Sequence, residues 1–124
     1  MCDDFDMAVR VLIVDDHPSF RASARTFLEL DGFEIVGEAV DGASALDLAA
    51  ELEPELVLLD IALPDANGFD IAERLAGGRA QVVLTSSREQ RDLGSRVRSS
   101  GALGFVPKDQ LSGAALSALL GGAA

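Results

Sequence analysis

The chain has 124 residues and a formal net charge of −11, from 10 Lys and Arg against 21 Asp and Glu. This length fits one domain that can bury a core without disulfides or a structural metal. A hydrophobic share of 48% with 25% charged residues is typical of a globular protein and excludes a disordered one. The acidity argues against the general attraction to phosphates that supports nucleic-acid binding, so we expect no direct nucleic-acid partner.

The first residues and the single cysteine indicate a location. No stretch approaches the roughly 18 uncharged apolar residues of a membrane-spanning helix, and acids stand where a signal peptide needs bases. Cys2 cannot form an internal disulfide, which suits a reducing compartment. We therefore expect a cytoplasmic domain over residues 8–120 with no membrane partner, between an acidic flexible tail (residues 1–7) and a short C-terminal tail (residues 121–124).

The first half of the chain predicts three strands and two helices. Residues 10–14 are a β-branched apolar run that Asp15 and Asp16 halt, which indicates a buried strand. Pro18 opens a helix capped by Asp16 or His17, and its predicted apolar face comprises Phe20, Ala24, Phe27, Leu28 and Leu30. The pattern then predicts a strand, a helix that Pro54 stops, and a strand that ends in Asp60: residues 34–39, 43–52 and 56–59.

The second half continues the alternation. It predicts a short helix, a strand, a polar helix, a fifth strand and an amphipathic helix: residues 69–76, 81–85, 89–99, 104–106 and 111–120. Apolar strands that alternate with helices predict an α/β fold with a five-stranded parallel sheet covered on both faces, in a doubly wound arrangement. In such sheets, ligands bind at the carboxyl ends of the strands.

Polar residues end or follow four of the five predicted strands. Asp15 and Asp16 follow the first strand, Asp60 the third and Lys108 the fifth, while Thr85 ends the fourth. Taken singly, each acid could be a helix cap or a turn residue and Thr85 an ordinary strand residue. In a parallel sheet, however, all of them converge at one edge, and Lys108 is the single lysine among ten bases. Their joint presence favours a site over chance.

The chemistry of these side chains indicates phosphoryl transfer. Carboxylates packed together repel each other and raise each other's pKa unless a cation neutralises them. Oxygen ligands without His or Cys favour a hard ion, and few carboxylates with water suit Mg²⁺ better than Ca²⁺. A hydroxyl and an ammonium added to the metal complement a phosphoryl group. A central carboxylate could then act as the nucleophile and form an acyl phosphate.

Four segments carry a resemblance to a known family. They are residues 11–18 (VLIVDDHP), 56–68 (LVLLDIALPDANG), 82–87 (VVLTSS) and 100–108 (SGALGFVPK). Together they resemble the receiver domain of bacterial response regulators in two-component signalling, and more narrowly receivers of the NarL type. The resemblance covers residues 8–120 and implies the flavodoxin-like (βα)5 fold with strand order 2-1-3-4-5.

The resemblance also implies roles for individual residues. Asp60 would be the phosphoacceptor, with a phosphohistidine as donor, and Asp60, Thr85 and Lys108 would form the catalytic set. Mg²⁺ would be held by Asp15, Asp16, Asp60 and the backbone carbonyl of Ala62, with Asp15 acting largely through water. Thr85 would move toward the phosphate, and Phe105 would follow it inward as the second switch residue. These movements would reshape the face around the fourth helix.

The implied partners are proteins. A sensor histidine kinase or a histidine phosphotransfer protein would supply the phosphoryl group, and a downstream protein would respond. The arginines between Arg88 and Arg98 could form a docking face, including that of a homodimer, or belong to an ordinary solvated helix. No helix-turn-helix segment follows residue 120, so we expect a natural single-domain receiver rather than one cut from a longer regulator.

Several alternatives are open. An aspartyl-phosphate phosphatase would need an acid two residues after the nucleophile, where Ala62 stands, so we expect a switch with slow autodephosphorylation and no enzyme. A partner-binding receiver that is not phosphorylated is the other alternative. His17 is interpreted as an exposed residue at the helix start rather than a metal ligand. The Lys108–Asp109 peptide bond is predicted to be trans, because a cis bond before a residue other than proline is costly.

Overall fold

A computed structural model describes residues 8–87 and 94–122. The predicted tail of residues 1–7 lies outside this range, as do residues 88–93, which include the first five residues of the predicted polar helix (residues 89–93). The strands are β1 (Arg10–Val14), β2 (Glu34–Ala39), β3 (Leu56–Asp60), β4 (Gln81–Ser86) and β5 (Gly104–Pro107). The helices are α1 (Pro18–Leu30), α2 (Gly42–Leu52), α3 (Gly68–Leu75), α4 (Gly94–Ser99) and α5 (Gly113–Gly122).

The five strands form one parallel sheet in the order β2-β1-β3-β4-β5. This confirms the predicted fold class and strand order. The register places Val14 beside Leu59 and Thr85 beside Asp60. Because the strands are parallel, the residues that end β1, β3 and β4 lie at the same edge of the sheet.

Successive residues of each strand point to opposite faces of the sheet, and each face is covered by helices. One layer contains alternate strand residues together with α1 and α5: Val11, Ile13, Leu56, Leu58, Val83, Ala24, Leu28 and Leu116. The other contains the intervening strand residues together with α2, α3 and α4: Leu12, Val14, Val57, Leu59, Leu84, Ala45, Phe69, Ile71 and Val97. None of the described helices is long and apolar enough to cross a bilayer.

Capping side chains explain where several helices begin. Asp41 and Ser44 form a capping box, so α2 starts at Gly42, one residue before the predicted start. The Asn67 side chain accepts a hydrogen bond from the Phe69 amide, and α3 therefore starts at Gly68. The helix predicted from Leu111 instead begins at Gly113, because a 3₁₀ turn over Lys108–Gln110 comes first. That helix continues to Gly122 rather than ending at Leu120.

Leu30 does not belong to the apolar face of α1. Its side chain is 82% exposed, whereas Ala24 and Leu28 are fully buried. Each helical residue turns by about 100°, so Leu30 lies roughly 200° around the helix from Leu28. The prediction that grouped Leu30 with the core residues was therefore wrong. The helix ends just after it, where Gly32 adopts a φ of 95° that glycine tolerates.

The two leucines of α1 give a matched test of this packing. We expect Leu28→Ala to lower the free energy of unfolding by about 2–5 kcal/mol, because it opens a cavity in the core. Leu30→Ala should change it by less than about 0.5 kcal/mol, because its side chain is in solvent. Urea unfolding followed by circular dichroism measures both values. Equal losses for the two variants would contradict the assigned orientation of α1.

Candidate functional site

The acid pair lies directly after β1. Asp15 is fully buried, and its backbone N–H donates a hydrogen bond of 3.0 Å to the Ala39 carbonyl at the end of β2. Asp16 is exposed. The chain therefore presents one buried and one accessible carboxylate at the carboxyl edge of the sheet.

Asp60 is the last residue of β3 and lies beside Thr85 of β4. It is only 3% exposed. The Ala62 backbone N–H donates a hydrogen bond of 3.1 Å to Asp60 Oδ1, and the Ile61 N–H donates one of 2.9 Å to the Thr85 carbonyl. The first bond holds the Asp60 carboxylate directly, and the second holds the backbone that follows Asp60 against β4.

The Lys108 ammonium lies between the two buried carboxylates. Its Nζ is 2.6 Å from Asp15 Oδ2, a charge contact without hydrogen-bond geometry, and donates a hydrogen bond of 3.3 Å to Asp60 Oδ2. It also lies 4.6 Å from the centre of the Phe20 ring. The Lys108 side chain is only 13% exposed. Its peptide bond to Asp109 is trans, as predicted, and no bond among the described residues is cis.

The environment of Asp60 raises the pKa of its carboxyl above the ordinary value of 3.8. Burial is the main cause, because it disfavours the charged form. The Ala62 amide opposes this shift, the Asp15 carboxylate adds to it, and Lys108 opposes it through its charge and its hydrogen bond. Asp60 is therefore a carboxylate that gains from any further positive charge.

The two predicted switch residues have different surroundings. Thr85 is 1% exposed, and its Oγ1 has no hydrogen-bond partner among the described residues. An unpaired buried hydroxyl costs roughly 1–3 kcal/mol, so Thr85 gains from an acceptor placed beside it. Phe105 is half-buried and packs against the core layer formed with α2, α3 and α4.

The donor atoms fit a divalent cation. One donor atom from each of Asp15, Asp16, His17 and Asp60 lies within 4.8 Å of the others, and Asp15 Oδ2 accepts no hydrogen bond from any residue that the structure describes. Three carboxylates face a single ammonium, which leaves excess negative charge. This oxygen-rich set suits a hard ion. The carbonyl of Ala62 stays a prediction, because the described contacts of this residue involve its N–H and its bridge to Asn67.

His17 lies closer to the acids than the sequence indicated. It occupies the cap position of α1 without a capping side-chain bond, and its side chain is 62% exposed, as expected for a residue at the helix start. Its Nδ1 is nevertheless 3.0 Å from Asp15 Oδ1 and 3.2 Å from Asp16 Oδ1. The ring therefore lies at the mouth of the acid cluster.

Sequence analysis missed the residues that hold the loop after Asp60. The two carboxylate oxygens of Asp65 accept hydrogen bonds from the Gly42 and Ala43 amides, at 2.7 and 3.1 Å, and so join this loop to the start of α2. The Gly68 N–H donates a bond of 2.7 Å to the Ile61 carbonyl. The Asn-Gly pair at positions 67–68 gives a turn signal in the sequence, but no local pattern indicates that Asp65 reaches a helix more than twenty residues earlier.

The predicted docking arginines are only partly described. Arg88 and Arg91 lie outside the described residues. The Arg96 guanidinium lies 4.4 Å from the centre of the Phe69 ring, a cation–π contact that joins α4 to α3. Whether this region is a docking face stays a prediction.

Comparison with known proteins decides the family. A sequence profile described as the response regulator receiver domain matches residues 11–119. The chain belongs to this family. It is 42% identical over 118 residues to the nitrate/nitrite response regulator protein NarP of Escherichia coli, covering 92% of this chain and 54% of NarP. It is 41% identical over 108 residues to the transcriptional regulatory protein PdtaR of Mycobacterium tuberculosis, covering 85% and 53%.

Solved structures agree with the receiver fold. The signal receiver domain of the response regulator NarL from Mycobacterium tuberculosis matches with a TM-score of 0.82 and 33% identity, over 92% of this chain and 98% of that one. The response regulator domain of Thermotoga maritima CheB matches with a TM-score of 0.80 at 24% identity, over 92% and 95%, which supports the fold alone. The receiver described here spans about half the length of its relatives NarP and PdtaR.

The raised pKa of Asp60 predicts a stabilising substitution. A raised pKa means that the folded state favours the protonated acid, so stability is lost as the pH rises from 3.8 through the folded-state pKa. Asp60→Asn removes the buried charge and should raise the free energy of unfolding at neutral pH without added metal. The difference in free energy of unfolding between Asp60→Asn and the original chain should shrink as the pH falls toward 3.8. Urea unfolding at several pH values measures it.

Asp41 provides a control of opposite sign. Hydrogen bonds from the Ser44 side chain and amide lower the pKa of Asp41, so its carboxylate stabilises the folded state at neutral pH. Asp41→Asn should therefore lower stability at neutral pH and have less effect in acid. A loss of stability in Asp60→Asn at neutral pH would refute the assigned environment of Asp60.

Gly68 tests the close packing behind Asp60. A Cβ at position 68 would lie 2.6 Å from the Asp60 carbonyl oxygen and 2.6 Å from the Ile61 Cα. Because these are backbone atoms, Gly68→Ala should cost about 1–3 kcal/mol of stability and shift the Asp60 amide signal in NMR spectra. Gly77→Ala is the control, since nothing lies within 4 Å of its Cβ. If Gly68→Ala loses as little stability as Gly77→Ala, the loop after Asp60 can move to make room for the methyl group, and the close packing assigned here is wrong.

Proposed function

We propose that this receiver is a phosphorylation switch in which Asp60 is the phosphoacceptor. A phosphohistidine of a sensor histidine kinase or of a histidine phosphotransfer protein supplies the phosphoryl group. An Asp60 carboxylate oxygen forms the new bond to phosphorus while the bond from phosphorus to the histidine nitrogen breaks. The products are an acyl phosphate on Asp60 and a free histidine.

The position of Lys108 carries this proposal. Its Nζ is 3.3 Å from Asp60 Oδ2, at the carboxyl edge of the sheet, where it can neutralise phosphoryl oxygens next to the nucleophile. A structural lysine would serve equally well at an exposed surface, but this one is largely buried among carboxylates. Burial of Asp60 also keeps water from both of its oxygens, which favours attack on phosphorus by a carboxylate that is weakly solvated.

Asp15, Asp16 and Asp60 are the side chains that would hold Mg²⁺, with the carbonyl of Ala62 as a further ligand. When bound, Mg²⁺ supplies positive charge that screens the carboxylates from each other and from an incoming phosphoryl group. The chain itself contributes a buried Asp15 fixed by its backbone, an accessible Asp16 and the Lys108 ammonium. In the proposal these residues surround the Asp60 carboxylate, which is only 3% exposed to solvent.

Thr85 and Phe105 supply the response. A phosphoryl oxygen on Asp60 would be an acceptor beside the buried Thr85 hydroxyl, which has no partner among the described residues. Movement of Thr85 toward it would alter the end of β4, and the half-buried Phe105 ring of the adjacent strand β5 would turn in response. The new hydrogen bond would favour one of two arrangements of Thr85 and Phe105. That change would reshape the surface around α4 and β5.

The partners in this proposal are proteins in the cytoplasm. The kinase or phosphotransfer protein docks at the edge that carries Asp60, and the downstream target reads the face around α4. A second copy of the chain is a further partner for that face, where Arg96 and Arg98 are exposed. The domain acts as a switch rather than as an enzyme on external substrates, since Ala62 stands where a phosphatase would need its second acid.

Intact-mass measurement tests the proposal. The chain is incubated with acetyl phosphate and Mg²⁺, and we expect a mass gain of one phosphoryl group that hydroxylamine removes, as it does from acyl phosphates. Asp60→Asn should show no gain, because an amide cannot form a stable acyl phosphate. Asp70→Asn, which changes an exposed acid in the first turn of α3, should be labelled like the original chain.

Chelation of divalent ions should abolish the mass gain. Labelling of Asp60→Asn at the original rate would place the phosphoacceptor elsewhere. Absence of labelling in the original chain, from acetyl phosphate and from a phosphorylated histidine phosphotransfer protein alike, would favour a receiver that binds partners without phosphorylation.

A further inference from the structure

We infer that Arg21, at the end of the first turn of α1, is a positioning residue that orients the acid pair for cation binding. Its NH1 donates a hydrogen bond of 2.7 Å to the backbone carbonyl of Asp15. That carbonyl belongs to the peptide between Asp15 and Asp16, so its direction determines where both carboxylates lie. The Arg21 side chain is only 16% exposed, which protects the contact from competing water. The inference rests on the proposed Mg²⁺-dependent function of this site.

Arg21 is itself oriented from a neighbouring strand. Its Nε donates a hydrogen bond of 3.0 Å to Glu38 Oε1, and Glu38 lies in β2 next to Ala39. The Ala39 carbonyl in turn accepts the Asp15 N–H at 3.0 Å. The β2 strand therefore holds Asp15 at both ends of the residue: directly at its N–H, and through Glu38 and Arg21 at its carbonyl.

Arg25 contacts the same glutamate without contacting the acid pair. Its NH1 donates a hydrogen bond of 2.6 Å to Glu38 Oε2, and its Nε lies 3.4 Å from Glu29. Arg21 and Arg25 thus each form one ion pair with Glu38 from the same helix. They differ in that Arg21 alone of the two bonds the Asp15 backbone. This difference makes Arg25 a matched control.

The two explanations for an effect of Arg21 predict opposite signs. If Arg21 acted only through its charge, its removal would leave the acid cluster more negative, and a cation would bind more tightly. If Arg21 positions the peptide, its removal lets the carboxylates shift, and a cation binds more weakly. Groups that orient metal ligands contribute roughly 10–100-fold in affinity. A lysine cannot replace the planar guanidinium fork that bonds Asp15 and Glu38 at once.

Calorimetric titration of the purified chain with Mg²⁺ tests this inference. We expect Arg21→Met to weaken Mg²⁺ binding about tenfold, and Arg21→Lys to weaken it in the same direction although the charge is kept. Arg25→Met should leave the affinity within about twofold or tighten it slightly, because Arg25 does not bond the Asp15 backbone and its charge is screened at that distance. Thermal unfolding checks that both variants remain folded at the temperature of the titration.

Amide hydrogen exchange of the metal-free chain gives a second readout. The Asp15 amide should exchange faster in Arg21→Met and in Arg21→Lys than in the original chain, and at the original rate in Arg25→Met. Unchanged or tighter Mg²⁺ binding in both Arg21 variants, with unchanged exchange at Asp15, would overturn the inference and leave the proposed site intact. If the original chain binds no Mg²⁺, the proposed function fails instead, and the exchange rates alone decide whether Arg21 holds Asp15.

Discussion

One ammonium between two buried carboxylates is the interaction on which the site depends. Asp15 follows β1 and Asp60 ends the neighbouring strand β3, and their burial without compensation would be costly. Lys108, which follows β5 at the far side of the sheet, places its Nζ within 3.3 Å of both. Burial raises the pKa of Asp60, the Asp15 carboxylate adds to the rise, and the lysine offsets only part of it. The site is thereby stable enough to fold and still negative enough to attract a cation.

The alternation of strands and helices along the chain builds the sheet edge at which these charges meet. A parallel sheet brings the carboxyl ends of β1, β3 and β4 to one edge, so residues far apart in sequence can share one pocket. The loop after Asp60 is fixed by Asp65 on the start of α2 and by the close approach of Gly68 to the Asp60 backbone. The buried Thr85 hydroxyl has no hydrogen-bond partner among the described residues. The proposed switch combines these two features, a carboxylate fixed by its surroundings and a neighbouring hydroxyl that can accept a new partner.

The sheet and the strand-end residues could be predicted because they depend on local patterns. Apolar runs that end in Asp15, Asp60 and Thr85 indicate both strands and a shared edge, and the structure confirms that Asp15, Asp60 and Lys108 lie together. The predicted starts of three helices differ from those in the structure. The 3₁₀ turn after β5 delays α5, and the capping bonds of Asp41 and Asn67 move two starts by one residue.

Contacts between distant side chains and backbone could not be predicted at all. The bond from Arg21 to the Asp15 carbonyl and the bonds from the Gly42 and Ala43 amides to Asp65 depend on how elements pack, and no spacing in the sequence specifies them. Leu30 is a different case, since its exposure follows from helical phase, which the sequence already specifies. The sequence therefore indicated that Asp15, Asp60 and Lys108 lie together, and the structure adds the contacts that hold them.

The balance of charge around Asp60 is measured most directly by a carbon-13 NMR titration of its carboxyl group, without divalent ions, in the original chain and in Lys108→Gln. The account predicts a pKa above the ordinary aspartate value in the original chain, because of burial and Asp15, and a further rise in Lys108→Gln, because the neutralising ammonium is lost. An ordinary pKa in the original chain, or an unchanged pKa in the variant, would contradict it.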